Sequence, residues 1–500
     1  MSVRNIVRFS SCAGFAALAA LALGNATAAP HSVSPQLTIG PKALSASVVA
    51  PGYGLFTCQV GLIPGDVCYD PYQIRHAYGT DNLINAGYDG TGRTIVIIDA
   101  YQSPTIVNDV AVQSTFYGIP QLNLTQIAPD GQVPYDEFDG TMNGWAGEIT
   151  LDVQWAHAIA PGAQIVLVLA KTSADDDILS ALNYAIDNNL GDVISMSFGE
   201  NESCLDQNTV NAWHTAFTHA TQKGMTLFAS TGDQGASQKT CDGQSWTLAA
   251  SHPATDPLVS SVGGTELHAA DYCLTQLGCD PTQNPAAGTY QGEFAWNELE
   301  CANDACDLIK SEATGGGVSV VFDAPPFQKS LVKGKGRGVP DVAYNAAIAH
   351  GVLTFWTAYP SDPADTAGFY GFGGTSAGSP QWAAIVAIAD QIAGRRLGYL
   401  NSAFYQIGQT PPNYSASFHD VTSGDNSVLE LDSSDNYVEV DGYPALTRWD
   451  ATTGLGSPKV DSIVGRLIAF VSPGDAVAAI ATSKPHAKGK PGFAGQKQAH

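Results

Sequence analysis

Positive charge is the first thing this chain is short of: 22 Lys and Arg stand against 47 Asp and Glu, for a formal net charge of −25. Four lysines lie in the last stretch (Lys484, Lys488, Lys490, Lys497) and Arg4 and Arg8 lie at the start, so the body between is more acidic still. A surface of that sign repels phosphate, which argues against a nucleic-acid partner. Protonating carboxylates in acid would relieve the self-repulsion. No apolar run reaches the ~20 residues that a membrane-spanning helix needs. No Cys-x-x-Cys pair occurs, which removes the usual zinc spacing, and no internal repeat is found. The upstream half also has no His-Gly-Thr segment or comparable histidine site.

What is present begins with a leader. Residues 1–29 place Arg4 and Arg8 ahead of an apolar run from Cys12 to Leu23, with Ala26-Thr27-Ala28 before a cut, the pattern of a secretory signal. The expected location is therefore extracellular or periplasmic. Apart from Cys12, eight cysteines remain, an even number suited to disulfides in an exported chain. Cys58–Cys68, Cys204–Cys241, Cys273–Cys279 and Cys301–Cys306 are the favoured pairings, although sequence alone leaves the connectivity open.

Residues 30–51 read as a Ser/Pro/Ala-rich linker, 52–470 as one large domain and 471–500 as a basic low-complexity tail. Within the domain, β-branched runs at 94–100, 164–170, 192–198, 225–230 and 257–263 are almost continuously apolar, as in strands buried on both faces. Helical patterns, such as 178–188 and 209–223, separate them. The expected fold is α/β, a doubly wound and mostly parallel sheet flanked by helices, with sites at the carboxyl ends of its strands.

The sharpest local feature is Gly373-Gly374-Thr375-Ser376-Ala377-Gly378-Ser379-Pro380, a serine between small residues just before an apolar helix pattern over 381–390. Glycines permit a sharp turn and close approach of a substrate, and a helix N-terminus favours developing negative charge. A nucleophilic serine needs a base. Upstream, Glu148 and Asp152 are four apart and share one face of a predicted helix that ends near Ala160-Pro161-Gly162. Taken alone, such a pair is more often two solvated carboxylates. Beside a presented serine, a carboxylate near its ordinary pKa of ~4.3 is a base suited to acid. Asp233, in Thr231-Gly-Asp-Gln-Gly235 after a buried strand, is either an ordinary turn aspartate or, when protonated, a donor to an oxyanion.

Together these residues resemble the sedolisin (serine-carboxyl peptidase) family, relatives of the subtilisins with a serine, glutamate and aspartate catalytic set. Glu148 and Asp152 match its E-x-x-x-D helix, Asp233 its oxyanion aspartate and Ser376 the serine of G-T-S-A-x-x-P. Ser195-Met-Ser-Phe-Gly199, His252-Pro-Ala, Val262-Gly-Gly-Thr265, Gly315-Gly-Gly-Val-Ser319 and Arg337-Gly-Val-Pro-Asp341 follow in family order. The resemblance implies a subtilisin-like fold and a monomeric, acid-acting peptidase that takes protein or peptide substrates. It also implies one structural calcium ion in a C-terminal loop, held by the side chains of Asp420 and Asp450 and the carbonyls of Val421, Leu446 and Arg448. The last two positions are usually glycine in the family. A long folded N-terminal pro-domain is typical of it; here residues 30–51 are what stands between leader and domain.

Two rival readings remain open. Gly374-Thr-Ser376-Ala-Gly378 also satisfies the G-x-S-x-G pattern of an α/β-hydrolase esterase, with Asp390 and His419 downstream as acid and histidine. That reading lacks an upstream His-Gly-Gly loop, and its feeding run 352–356 is interrupted by Pro360 to Asp365. The other rival is a non-catalytic binding protein on a peptidase scaffold.

Overall fold

The computed structural model of the chain describes residues 31–42, 47–50, 53–59, 67–272, 286–301 and 308–486. The leader, Cys12, the Cys273–Cys279 and Cys301–Cys306 pairings and the chain beyond 486 fall outside those residues. Among the described cysteines, Cys58 is bonded to Cys68 and Cys204 to Cys241, as expected.

The apolar runs become the heart of an eight-stranded sheet. Thr94–Ala100 lies centrally, paired in parallel with Gln164–Ala170 on one side and Val193–Met196 on the other. Thr226–Ser230, Ser260–Ala269 and Val342–Asn345 continue the parallel order, and Thr125–Ile127 closes the opposite edge. The one antiparallel neighbour is Tyr290–Ala295. This is the doubly wound, mostly parallel sheet that the sequence pattern predicts.

Side chains alternate across a strand, and here both alternations are buried. Ile95 and Ile97 enter one apolar cluster with Leu167 and Leu169, while Val96 and Ile98 enter a second with Val166 and Val168. Helices Gly140–Ile159 and Gly378–Ala393 cover the first face through Ile149, Trp155, Trp382 and Ile385. Helices Asp175–Asp187 and Gln207–Gln222 cover the second through Ile178, Leu182, Trp213 and Phe217. Burying a side chain of this size contributes about 1.5–3 kcal/mol, so both helix layers are held by the same sheet.

Two boundaries differ from the sequence reading. The expected linker is structured at its start: Ser34–Pro35 and Thr38–Lys42 are strands, and both pair with the domain. The expected tail begins with a helix, Pro473–Thr482, capped by Ser472 and packed through Ala479 on the second cluster. No single described helix is long and apolar enough to cross a membrane.

Candidate active site

Helix Gly140–Ile159 starts where Asp139 accepts from the Thr141 and Met142 amides, and it runs through the core with Glu148 and Asp152 on its inward face. Ser376 sits in a short 3₁₀ turn, Thr375–Ala377, that leads into helix Gly378–Ala393. The turn depends on Gly374, whose φ of 92° suits glycine and where an added Cβ would lie 2.4 Å from Asp233 Oδ2. Asp233 follows strand Thr226–Ser230 and accepts from the Thr375 amide at 2.8 Å and the Thr375 hydroxyl at 2.9 Å. Asp233 is therefore anchored to the turn that carries Ser376. All four sequence-predicted residues come together at the carboxyl ends of the parallel strands.

Glu148, Asp152 and Ser376 have no exposed surface and Asp233 has 2%. Ser376 Oγ donates to the Ser197 carbonyl at 3.3 Å, and Ser197 Oγ donates to Asp152 Oδ1 at 2.9 Å. Burial pushes Glu148 well above the usual carboxylate range, the negative charges of Asp152, Asp99 and Asp233 push it further, and the Ser376 hydroxyl pulls the other way. Burial also raises Asp152 to about 8, against hydrogen bonds from Ser197 and Glu148 that favour its ionised form. The sequence reading of a carboxylate near its ordinary pKa is thus corrected: these groups have no exposed surface, and charges of one sign share the site.

Asp99 is the residue that the sequence reading missed. It is fully buried near the end of strand Thr94–Ala100, and burial and the Asp152 charge raise its pKa well above normal. The signal was an acid in an otherwise apolar, two-face-buried run. Three carboxyls that interact this strongly titrate as a group, and they cannot all ionise together.

The rival esterase residues are not assembled. Asp390 lies about 18 Å along the helix from Gly378, where it accepts from the Leu397 amide at 2.7 Å. His419 stacks on Tyr290 with ring centroids 3.6 Å apart.

The C-terminal aspartates do converge. Asp420 Oδ1 accepts from the Arg448 amide and Asp450 Oδ2 from the Leu446 amide, each at 2.9 Å. Both carboxylates act on the Tyr414 phenol. Arg448 takes a left-handed φ of 69° where the family usually has glycine, and Val421 is buried beside Asp420. Among the described residues neither aspartate forms a salt bridge with a lysine or arginine, and burial lifts Asp450 to about 6. Converging carboxylates on turning backbone are the hard oxygen donors that calcium takes, so these residues fit the ion.

The same cleft holds the chain's own N-terminal segment. Ser34 and Pro35 pair antiparallel with Gly199 and Phe198, and Thr38 and Ile39 pair with Gly373 and Phe372 in the strand that leads to the Ser376 turn. Ile39 Cδ1 would lie 2.9 Å from a Cβ placed on Gly147, next to Glu148.

A parallel sheet with a buried serine and carboxyls at its strand ends defines the subtilisin-like class. The chain belongs to the subtilase family, which residues 140–397 match, and within it to the sedolisin peptidases. It is 32% identical over 403 residues to kumamolisin of Bacillus sp. (strain MN-32), covering 78% of this chain and 62% of that protein. With sedolisin of Pseudomonas sp. (strain 101) it shares 30% identity over 322 residues, 62% of this chain and 47% of that one. The chain therefore spans less than two thirds of the length of these relatives. The solved structure of Pseudomonas sedolisin, a serine-carboxyl proteinase complexed with two molecules of pseudo-iodotyrostatin, superposes with a TM-score of 0.64 at 26% identity, covering 81% of this chain and 99% of that one.

Proposed function

We propose that the protein is a secreted, acid-acting serine-carboxyl peptidase that works as a monomer on protein or peptide substrates. Ser376 Oγ attacks the peptide carbonyl while Glu148, in its ionised form, takes the hydroxyl proton. Asp152 holds Glu148 in place and shares its charge. The Ser376 amide and a protonated Asp233 stabilise the oxyanion, and Glu148 returns the proton to the departing amine. Water then hydrolyses the acyl-enzyme by the same route. The observation that carries this reading is the cluster of Glu148, Asp152 and Asp99 beside Ser376, where the family resemblance places a carboxylate base.

One calcium ion would stabilise the C-terminal loop, held by Asp420 and Asp450 side chains and by Val421, Leu446 and Arg448 carbonyls. Binding the folded state alone, it adds stability by mass action and takes no part in bond cleavage.

The test is a pH-rate profile on a denatured protein substrate with purified protein. The base must be ionised while Asp233 is protonated, and the family resemblance puts that window in acid, at roughly pH 3–5. The raised pKa values of Glu148 and Asp152 belong to the cleft as filled by residues 31–42, and water entering the emptied cleft lowers both. A maximum at pH 7–8 with loss below 6 would revive the histidine-dependent esterase.

A further inference from the structure

Residues 31–42 lie in the cleft as a peptide substrate would, and one peptide bond is singled out. The carbonyl oxygen of Gln36 accepts from the amide of Ser376 at 3.0 Å. Its own amide donates to the Ser197 carbonyl at 3.3 Å, the group to which Ser376 Oγ also donates. The Leu37 Cα is 2.8 Å from a Cβ placed on Gly374, so the backbone on both sides of this bond touches the nucleophile turn. No other carbonyl of the segment is held by the Ser376 amide. Flanking pairs fix the register in both directions, as pleated strands demand: Ser34 with Gly199 before the bond, Thr38 with Gly373 after it. Further back, the Val33 amide donates to the Ser173 carbonyl at 3.0 Å, and its side chain is buried in the second apolar cluster.

The Gln36 side chain is buried, at 4% exposure, in a pocket matched to a primary carboxamide. Ser230 Oγ donates to its Oε1 at 2.5 Å, and its Nε2 donates to Ser251 Oγ at 3.0 Å. One hydroxyl gives and the other receives, which is the pairing an amide requires. The pocket has room because residue 199 lacks a side chain, where a Cβ would come within 2.3 Å of Gln36 Nε2; Gly232 lies against the same amide, its Cβ position 3.7 Å away. The pocket lining named here carries no charged group to pair with a lysine, arginine or glutamate side chain, and its polar walls suit an apolar one poorly.

We infer that Gln36–Leu37 is a bond that this protein cuts in itself, and that the pocket formed by Ser230, Ser251, Gly199 and Gly232 selects glutamine on the acyl side of substrates. The inference rests on the peptidase reading above. In the step, Ser376 Oγ bonds to the Gln36 carbonyl carbon and its proton passes to Glu148. The Gln36–Leu37 C–N bond breaks, and Leu37 nitrogen leaves with that proton as a new amine. Water then releases Gln36 as a free carboxylate and restores the serine hydroxyl. One water is consumed, and the cleft is opened to other peptides.

The experiment uses the full chain, alongside Ser376→Ala and Gln36→Lys. After incubation in acid, intact-mass and N-terminal analysis of the wild-type chain should show a new terminus at Leu37, at a rate independent of protein concentration. Ser376→Ala should show none, and Gln36→Lys should slow that cut about tenfold or more, because a buried unpaired charge replaces a matched amide. On a peptide series differing at the acyl-side residue, kcat/KM should be highest for glutamine. Ser230→Ala should narrow its lead over alanine about tenfold, the effect of one buried hydrogen bond with its partner left unpaired. Hydrolysis of denatured protein with no Leu37 terminus and no glutamine preference overturns this inference and leaves the peptidase reading intact. No hydrolysis of any substrate, by the chain or by a form starting at Leu37, overturns the peptidase reading itself.

Discussion

Asp341 and Asp152 are both fully buried at the ends of the same sheet, with very different company. Asp341 accepts from both terminal nitrogens of Arg337, at 2.7 and 2.5 Å, and from the amide and hydroxyl of Ser261. Asp152 has one hydroxyl, Ser197, and two further carboxyls, Glu148 and Asp99, as electrostatic neighbours. The first region neutralises a buried charge with a fixed opposite charge, and nothing there is left to react. The second neutralises its charge with protons. Protons can be moved, so burial at Asp152 leaves a titratable group close to Ser376, the nucleophile of the proposed mechanism. A buried carboxyl is thus read by what neutralises it.

The comparison breaks most visibly in turnover. Asp233→Ala should lower kcat by on the order of 10² to 10³, as loss of one oxyanion donor does elsewhere, whereas Asp233→Asn should retain partial activity because a neutral donor remains. The alkaline limb of its profile should also move upward, since the amide has no proton to lose. Identical behaviour of the two variants, with unshifted profiles, would reduce Asp233 to a turn residue.

Stability should respond in the opposite sense. Asp341→Asn leaves Arg337 buried without its partner and should cost about 3–5 kcal/mol by denaturant unfolding. Glu148→Gln removes no opposite charge, and its unfolding midpoint should match or exceed that of the parent chain. Equal losses in both variants would erase the distinction between the two regions.

A third contrast concerns pH. Asp152 is raised from 3.8 to about 8 on folding, so the folded protein holds a proton that the unfolded chain releases. Its contribution to stability is fully present below the unfolded pKa and is lost as pH rises through the folded one. Relative to Asp152→Asn, the parent should therefore lose stability between pH 4 and 8, on the order of a few kcal/mol, measured as Tm in a Ser376→Ala background. A difference that stays flat across that range would mean that Asp152 is ionised in the folded protein and paired with a positive group.

The clustering of Ser376, Glu148, Asp152 and Asp233 was legible because each sits in a short pattern whose local geometry is set by neighbours in sequence: a glycine turn, an i,i+4 helix face, a strand end. The strands at 94–100 and 164–170 were legible to the residue, since both faces are buried and the run is unbroken. The first half of the supposed linker was not. Its partners, Gly199, Phe198 and Gly373, lie far along the chain, and an isolated Ser/Pro-rich stretch carries no periodicity to report them. Asp99 was hidden by the strand that carries it. The raised carboxyls were hidden as well, because burial is a property of the whole fold and the E-x-x-x-D spacing looks the same on a solvated helix.

In the proposed mechanism a carboxyl group, Glu148, does the work of the base. The most direct test is kcat on a denatured protein substrate for Glu148→Gln and His419→Ala, with Ser376→Ala as the reference for a dead site. Glu148→Gln should fall by about 10⁴ or more, to near the Ser376→Ala level, and combining these two should add little because they act as one unit; His419→Ala should stay within a few-fold of the parent. Loss of activity in His419→Ala with Glu148→Gln still active would contradict it.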